Sequence, residues 1–120
     1  MNNDNIVVDK SFAFAVRVVK LARWLKKEAK EYELASQVIK SGTSIGANVA
    51  EAQEAQSKAD FISKMSIALK EASETIFWIK LLQSSEAIGE KEAQSLLHDA
   101  YELKKILTSI VKSTKEKVTP

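Results

Sequence analysis

The amino-acid sequence predicts an all-α fold, specifically an antiparallel, up-down-up-down four-helix bundle. Three glycines and one proline in 120 residues are too few turn-forming residues for a β fold. Apolar residues recur at alternating spacings of three and four, which is the period of an amphipathic helix. The segments between these periodic stretches are short, and short connections join antiparallel neighbours. We therefore expect a single domain over residues 1–120 with one apolar core.

The first predicted helix covers residues 10–30, and Asp9 or Ser11 is in position to cap its N-terminus. Its apolar stripe consists of Phe14, Val18, Leu21 and Leu25, widened by Phe12, Ala15, Val19 and Ala22. A stripe of this width predicts that one face of the helix is buried against the rest of the bundle.

The second predicted helix covers residues 33–55 and contains two glycines four positions apart, Gly42 and Gly46. Each glycine costs a helix about 1 kcal/mol relative to alanine, so a pair on one face favours the close approach of a neighbouring helix. A break in the helix is the alternative. The apolar period keeps its phase through Ile45 and Val49, which favours a continuous helix.

The third and fourth predicted helices cover residues 58–83 and 90–115, with a loop between them. Ser57 and Asp60 form a capping box at the start of the third helix. Each of the two helices carries an apolar seam of the kind that packs in a bundle. The seams are Ile62, Met65, Leu69, Ala72, Ile76 and Ile79 in the third helix, and Ala93, Leu96, Ala100, Leu103, Leu107 and Ile110 in the fourth.

The composition excludes most catalytic and metal-binding chemistry. The chain has no cysteine, which rules out disulfides, thiolate zinc sites, iron–sulfur clusters and cysteine nucleophiles. His98 is the only histidine, which is too few for a di-iron bundle site, and its place beside Leu97 predicts a solvated surface residue. Phosphate-binding glycine loops and serine–histidine arrangements are not recognisable. We expect no enzyme activity, no cofactor and no metal.

The distribution of charge and hydropathy indicates the compartment. Residues 1–9 lack the basic start and apolar run of a signal peptide, and no stretch approaches the roughly 18 apolar residues of a membrane span. A cytoplasmic protein is therefore expected. The net charge of +2 is small, but bases dominate the first and last predicted helices, whereas residues 84–99 are acidic.

A basic strip that contains a tryptophan runs along the first predicted helix, within one arc of about 160°. Its members are Lys10, Arg17, Lys20, Arg23, Trp24, Lys27 and Lys30. Such a strip is suited to contacting phosphates and stacking a base, so nucleic-acid binding is assigned to all of its members except Lys10. The alternative is a solvated face whose lysines favour the C-terminal end of the helix dipole, with Trp24 packed on a neighbouring helix.

A polar stripe lies at the edge of the apolar face of the second predicted helix. It consists of Ser41, Ser44, Asn48 and Glu51. These side chains are in position to pair with Glu71, Glu74 or Thr75 of the third helix, and a half-buried network of this kind fixes helix register. The alternative is a ligand or nucleic-acid pocket.

The third predicted helix has more apolar surface than one seam requires. Ile67, Phe77, Trp78 and Leu81 lie away from that seam. Large apolar side chains on a second face are typical of protein–protein contacts, so these four residues are the predicted oligomer interface. The alternative is that the third helix is simply the most buried helix and touches two neighbours.

Two central segments resemble a bacterial four-helix-bundle family whose founding members are encoded by intervening sequences in 23S rRNA genes. They are KSGTSIGANVAEA at residues 40–52 and DFISKMSIALKEASETIFWIKLL at residues 60–82. The family has been labelled a ribosomal protein family because of those genes. The resemblance extends from residue 11 to residue 113. The chain departs from the usual pattern at Ala52, where the family has glycine, and at Lys40, where arginine is common.

The resemblance implies a homopentameric ring. It also relates the chain to the basic, pentameric accessory protein of diversity-generating retroelements, which engages nucleic acid and reverse transcriptase. The residues that match the family motif, and to which the resemblance therefore extends, are Ser41, Ser44, Asn48, Glu51, Asp60, Phe61, Glu71, Glu74 and Trp78.

The basic strip and the resemblance together predict a non-catalytic, homo-oligomeric protein that binds ribosomal or ribosome-associated RNA. The alternative is a structural or scaffold homo-oligomer that binds a protein partner and no nucleic acid. Salt dependence separates the two hypotheses, because affinity that depends on phosphate contacts falls steeply with salt. Neither a small-molecule substrate nor a membrane partner is expected.

Overall fold

Four long helices make up the computed structural model, which describes residues 3–118. The helices are α1 (Asn3–Lys27), α2 (Tyr32–Ala52), α3 (Lys58–Ser84) and α4 (Glu90–Val118). Each helix packs against the next one along the chain, and α1 also contacts α4, so the four close an up-down-up-down bundle. The bundle measures 52 × 22 × 21 Å. The predicted fold class is confirmed.

The first helix begins well before the predicted start. α1 starts at Asn3, and the fully buried Val7 extends the apolar stripe of the helix into the residues before position 10, where the predicted helix began. Asp9 and Ser11 consequently lie inside the helix, and the prediction that one of them caps it is wrong. The helix ends at Lys27, so it is also shorter at its C-terminal end than predicted.

Phe12 points away from the core, in contrast to the prediction that it widens the buried stripe. Its side chain is 71% exposed, whereas Phe14 is 2% exposed. Two positions along a helix rotate a side chain by about 200°, so these two rings cannot share a face. Val16 lies one turn beyond Phe12 and is 41% exposed. Phe12 and Val16 together form what we term the outer α1 face.

α1 and α2 approach each other closely at the two helical glycines. A methyl group on Gly42 would lie 2.7 Å from Cγ1 of Val18, and one on Gly46 would lie 3.2 Å from the carbonyl oxygen of Ser11. Carbon atoms in contact are normally about 3.5–4.0 Å apart, so a side chain at Gly42 requires a displacement. α2 is unbroken over Tyr32–Ala52. Both the close packing and the continuous helix are confirmed.

The start of α3 and the seams of α3 and α4 follow the sequence pattern. Ser57 Oγ accepts a hydrogen bond from the Asp60 N–H at 3.0 Å, as the capping box predicts. The Asp60 carboxylate accepts from the Gln56 N–H at 3.3 Å instead of from Ser57. Every predicted seam residue of α4 is buried, and the α3 seam is buried except at Ile62 and Leu69, which are half-buried.

Replacing Gly42 by alanine should lower the free energy of unfolding, although alanine is the better helix former by about 1 kcal/mol. The added methyl group overlaps Val18, and overpacking of this kind typically costs about 1–3 kcal/mol. Urea denaturation followed by circular dichroism measures the difference.

The matched control is Val18→Ala, which removes both methyl groups that crowd Gly42. In that background Gly42→Ala should lose part of its cost, since only Cβ of residue 18, at 3.1 Å, still crowds the new methyl group. An equal cost in the two backgrounds would contradict the proposed contact.

Candidate nucleic-acid interface

The predicted basic strip begins on the edge of α1 beside α4, where Lys10 and Arg17 form ion pairs with α4. Lys20, Arg23 and Lys27 are exposed, and Trp24 is 47% exposed. Across residues 3–118, no ion pair involves any of these three cations. Lys30 lies beyond the helix in a turn, with φ of 57°, so it does not continue the strip along α1 as predicted. The exposed strip is therefore the C-terminal part of α1.

Arg17 differs from the other strip residues because α4 binds its guanidinium. Nη1 donates to Asp99 Oδ2 at 2.7 Å and to the Ser95 carbonyl at 3.3 Å. Nη2 donates to Ser95 Oγ at 3.1 Å and lies 3.7 Å from Glu92. Most of the donors of Arg17 are thus occupied within the bundle, and its charge is balanced by two carboxylates. Its position is that of a contact between α1 and α4.

A groove of 510 Å³ joins the exposed strip to the α3–α4 loop. Its lining residues are Arg17, Lys20, Leu21, Trp24, Ile88, Gly89 and Glu92. Trp24 contributes an exposed aromatic ring and Lys20 contributes an exposed cation to the same groove. Ile88 and Gly89 were not predicted as part of the site, because loop residues have no periodicity from which their position follows.

The polar stripe of α2 meets α3 at two separate points. Thr75 Oγ1 donates to Ser41 Oγ at 3.0 Å, and both side chains are fully buried. Lys64 of α3 donates to the Glu51 carboxylate at 3.1 Å near the surface. Each contact links the two helices at one level, so together they contribute to the register of α2 against α3.

The middle of the polar stripe bonds to its own helix. Ser44 Oγ donates to the Lys40 carbonyl at 2.6 Å, and Asn48 Nδ2 donates to the Ser44 carbonyl at 2.8 Å. In the part of the chain that the structure describes, neither side chain hydrogen-bonds to Glu71 or Glu74. The stripe therefore lacks the continuous network across the interface that its spacing allows.

Glu71 is a half-buried carboxylate beside this stripe. Burial raises its pKa, and the charge of Glu74 raises it further, whereas Lys70 and Lys40 oppose the shift. A raised pKa means that the folded state disfavours the ionised carboxylate relative to the unfolded chain. The ionised Glu71 therefore destabilises the fold at neutral pH.

α3 exposes an apolar face that we term the outer α3 face. It consists of Ile67, Phe77 and Leu81, which are 40%, 57% and 38% exposed. Trp78 was predicted with them, but it is half-buried and packs against the core, edge-on to Phe77 with ring centroids 5.0 Å apart. Within residues 3–118 its indole Nε1 is buried and has no hydrogen-bond partner. The exposed anchor of this face is Phe77.

His98 is exposed on α4. Among residues 3–118, no three histidine or carboxylate side chains are grouped as metal ligands. No helix of that range combines the length and apolarity needed to cross a membrane.

The architecture and surface define a four-helix-bundle protein with an exposed basic edge and two apolar outer faces. A family model described as 23S rRNA-intervening sequence protein matches residues 3–109, and the chain belongs to this family. It is also similar to the crystal structure of a protein of unknown function from the S23 ribosomal protein family of Bacteroides thetaiotaomicron. That match has a TM-score of 0.91 and 50% sequence identity, and covers 92% of this chain and 99% of the other. Comparison with curated proteins gave no match. The family resemblance predicted from the two central segments is confirmed.

Replacing Glu71 by glutamine should raise the melting temperature at about pH 7, because it removes a charge that the fold disfavours. The folded protein binds the Glu71 proton more tightly than the unfolded chain does, so this destabilisation grows as pH rises through the raised pKa. The gain should shrink towards about pH 3.5, where the carboxyl group is protonated in both states. Thermal melts of the parent and variant across this range make the comparison.

Glu54→Gln is the matched control, since Glu54 is exposed and lies in the connection between α2 and α3. It should change the melting temperature little at either pH. A gain for Glu71→Gln that is independent of pH would show that the charge of Glu71 is not its cause.

Proposed function

We propose that this protein is a non-catalytic homo-oligomer that binds RNA through the exposed C-terminal part of α1. The supporting observation is the set of three exposed cations, Lys20, Arg23 and Lys27, which surround Trp24 and have no ion-pair partner across residues 3–118. Lysine and arginine on a helix face contact phosphates and carry little sequence information. The binding is therefore largely independent of sequence.

Trp24 favours RNA that has unpaired bases. Its ring is half exposed and lines a groove together with Lys20. A base freed from stacking fits against such a ring, and the adjacent cation is suited to its phosphate. Loops, bulges and single-stranded ends of a structured RNA supply such bases. Ribosomal RNA is the class that we propose, because the matching family is described as 23S rRNA-intervening sequence protein.

The two apolar outer faces support the proposed oligomer. The outer α1 face and the outer α3 face lie on helices that do not contact each other within the described bundle, so they point in different directions. Two different patches that join head to tail form a ring when the rotation closes. A ring of five is the assembly that the family resemblance implies. It repeats the strip, and linked sites raise apparent affinity through effective concentration.

The double variant Lys20→Glu, Lys27→Glu should bind single-stranded RNA of about 20 nucleotides at least tenfold more weakly than the parent at about 50 mM salt. Log affinity falls with log salt, and removing two phosphate contacts should also make this negative slope shallower by about 1.4. Fluorescence anisotropy at several salt concentrations measures both quantities. Arg17 is left intact because its contact with Asp99 is part of the bundle.

The control for net charge is Lys58→Glu, Lys91→Glu, which makes the same charge change at two exposed positions outside the strip. It should retain most of the parental affinity. Equal losses in the two variants would remove the α1 strip as the binding surface. A parent that fails to bind RNA at low salt would favour the scaffold hypothesis.

Replacing Phe77 by serine should lower the mass of the assembly in light scattering, because it removes the most exposed apolar ring of the outer α3 face. Tyr32→Ser is the matched control, since Tyr32 is also 57% exposed but lies at the start of α2. An unchanged mass for a folded Phe77 variant would exclude this face from the interface.

A further inference from the structure

A groove with a volume of 910 Å³ lies between α3 and α4. Lys80 of α3 and His98, Tyr101 and Lys105 of α4 line it. It adjoins a second groove of 610 Å³ along α4, because Tyr101 and Lys105 line both. The two form one continuous track, which we term the α3–α4 track.

The α3–α4 track is strongly basic. Lys80 and Lys105 line its first part, and Lys104 and Lys112 line its second part. Across residues 3–118 none of these lysines takes part in an ion pair. Glu102 also lines the first part, but its carboxylate is held by Lys10 of α1 at 3.0 Å. The positive charge of the track is therefore uncompensated.

An aromatic ring lies at the junction of the two grooves. Tyr101 is 43% exposed, and the Lys80 ammonium lies 5.6 Å from its ring centroid. A cation over an aromatic ring attracts it electrostatically, which restrains both side chains. Tyr101 thus presents an oriented aromatic surface beside cations, which is the combination that stacks bases in single-stranded nucleic-acid sites.

We infer that the α3–α4 track binds the backbone of single-stranded RNA, with a base against Tyr101, as a second site separate from the α1 strip. Lys105 and Lys112 are two helical turns apart, about 10.5 Å along the axis. The track thus offers cations at two levels, which are in position to contact different phosphates of one strand. An acidic protein partner fits less well, because protein interfaces are centred on apolar anchors, whereas Leu97 is the one buried apolar residue in the lining of these grooves.

Acidic residues separate the two sites. Asp99 and Glu102 lie on the edge of α4 that faces α1, where they pair with Arg17 and Lys10 at 2.7 and 3.0 Å. These ion pairs balance the charge of the edge, so a phosphate backbone is attracted more strongly to the strip and to the track than to the region between them. An RNA long enough to reach both sites gains affinity from the linkage.

The double variant Lys105→Glu, Lys112→Glu tests the track, with a fluorescein-labelled single-stranded RNA of about 20 nucleotides as the probe. At about 50 mM salt we expect at least a fivefold loss of affinity. The negative slope of log affinity against log salt should also become shallower by about 1.4. The control variant Lys58→Glu, Lys91→Glu makes the same charge change and should retain the parental affinity. Tyr101→Ala should also weaken binding, and Tyr101→Phe should restore most of it, since the ring is kept.

Cross-linking of the same RNA containing 4-thiouridine supplies a second measurement, in which α4 peptides around Tyr101 should be labelled in the unmodified protein. Unchanged affinity for both the lysine and Tyr101→Ala variants, without cross-links on α4, would overturn the inference. If Lys20→Glu, Lys27→Glu still loses affinity in that case, the α1 site stands alone. If only the α4 variants lose affinity, the α1 site fails and the track remains. If the parent binds polyglutamate as tightly as it binds the RNA, the inference is also overturned, because the track would then not distinguish nucleic acid from another polyanion.

Discussion

The close approach of α1 to α2 at Gly42 determines the arrangement of the other surfaces. With no side chain at this position, Val18 of α1 reaches the α2 backbone, and a methyl group there would come within 2.7 Å of it. The contact sets the rotation of α1 about its own axis. That rotation directs Phe14 into the core, Phe12 outward and Arg17 towards α4. Each helical glycine costs about 1 kcal/mol in propensity, and the dispersion contacts of the tight interface offset that cost.

The charges follow from this arrangement in a consistent way. The acidic first half of α4 lies beside the basic edge of α1, so that Arg17 and Lys10 are neutralised where the two helices meet. Beyond that contact α1 carries exposed cations around Trp24, and the other edge of α4 carries lysines around Tyr101. Ion pairs at the surface contribute little stability. Their main consequence here is to divide the positive potential into two areas with a charge-balanced edge between them.

The polar groups between α2 and α3 act as constraints on packing. Ser41 and Thr75 form a buried hydroxyl pair between the two helices, and a slip of one helix along the other would break their 3.0 Å hydrogen bond. Glu71 nearby has a raised pKa and destabilises the fold when ionised.

The sequence by itself determined the number and order of the helices and the seams of α3 and α4, because these follow from local periodicity. It also determined the close packing at Gly42 and Gly46, because the cost of glycine in a helix favours a neighbouring helix that approaches closely there. It also identified the family, since the two central motifs are local. Only the tertiary structure decided which charges remain exposed: Arg17 matches the strip in sequence, yet Asp99 binds it from a distant segment. The same holds for the α3–α4 track, because Lys80 and Tyr101 belong to different helices and meet only when those helices pack. Periodicity describes one helix at a time, whereas a surface shared by two helices depends on their relative rotation and register.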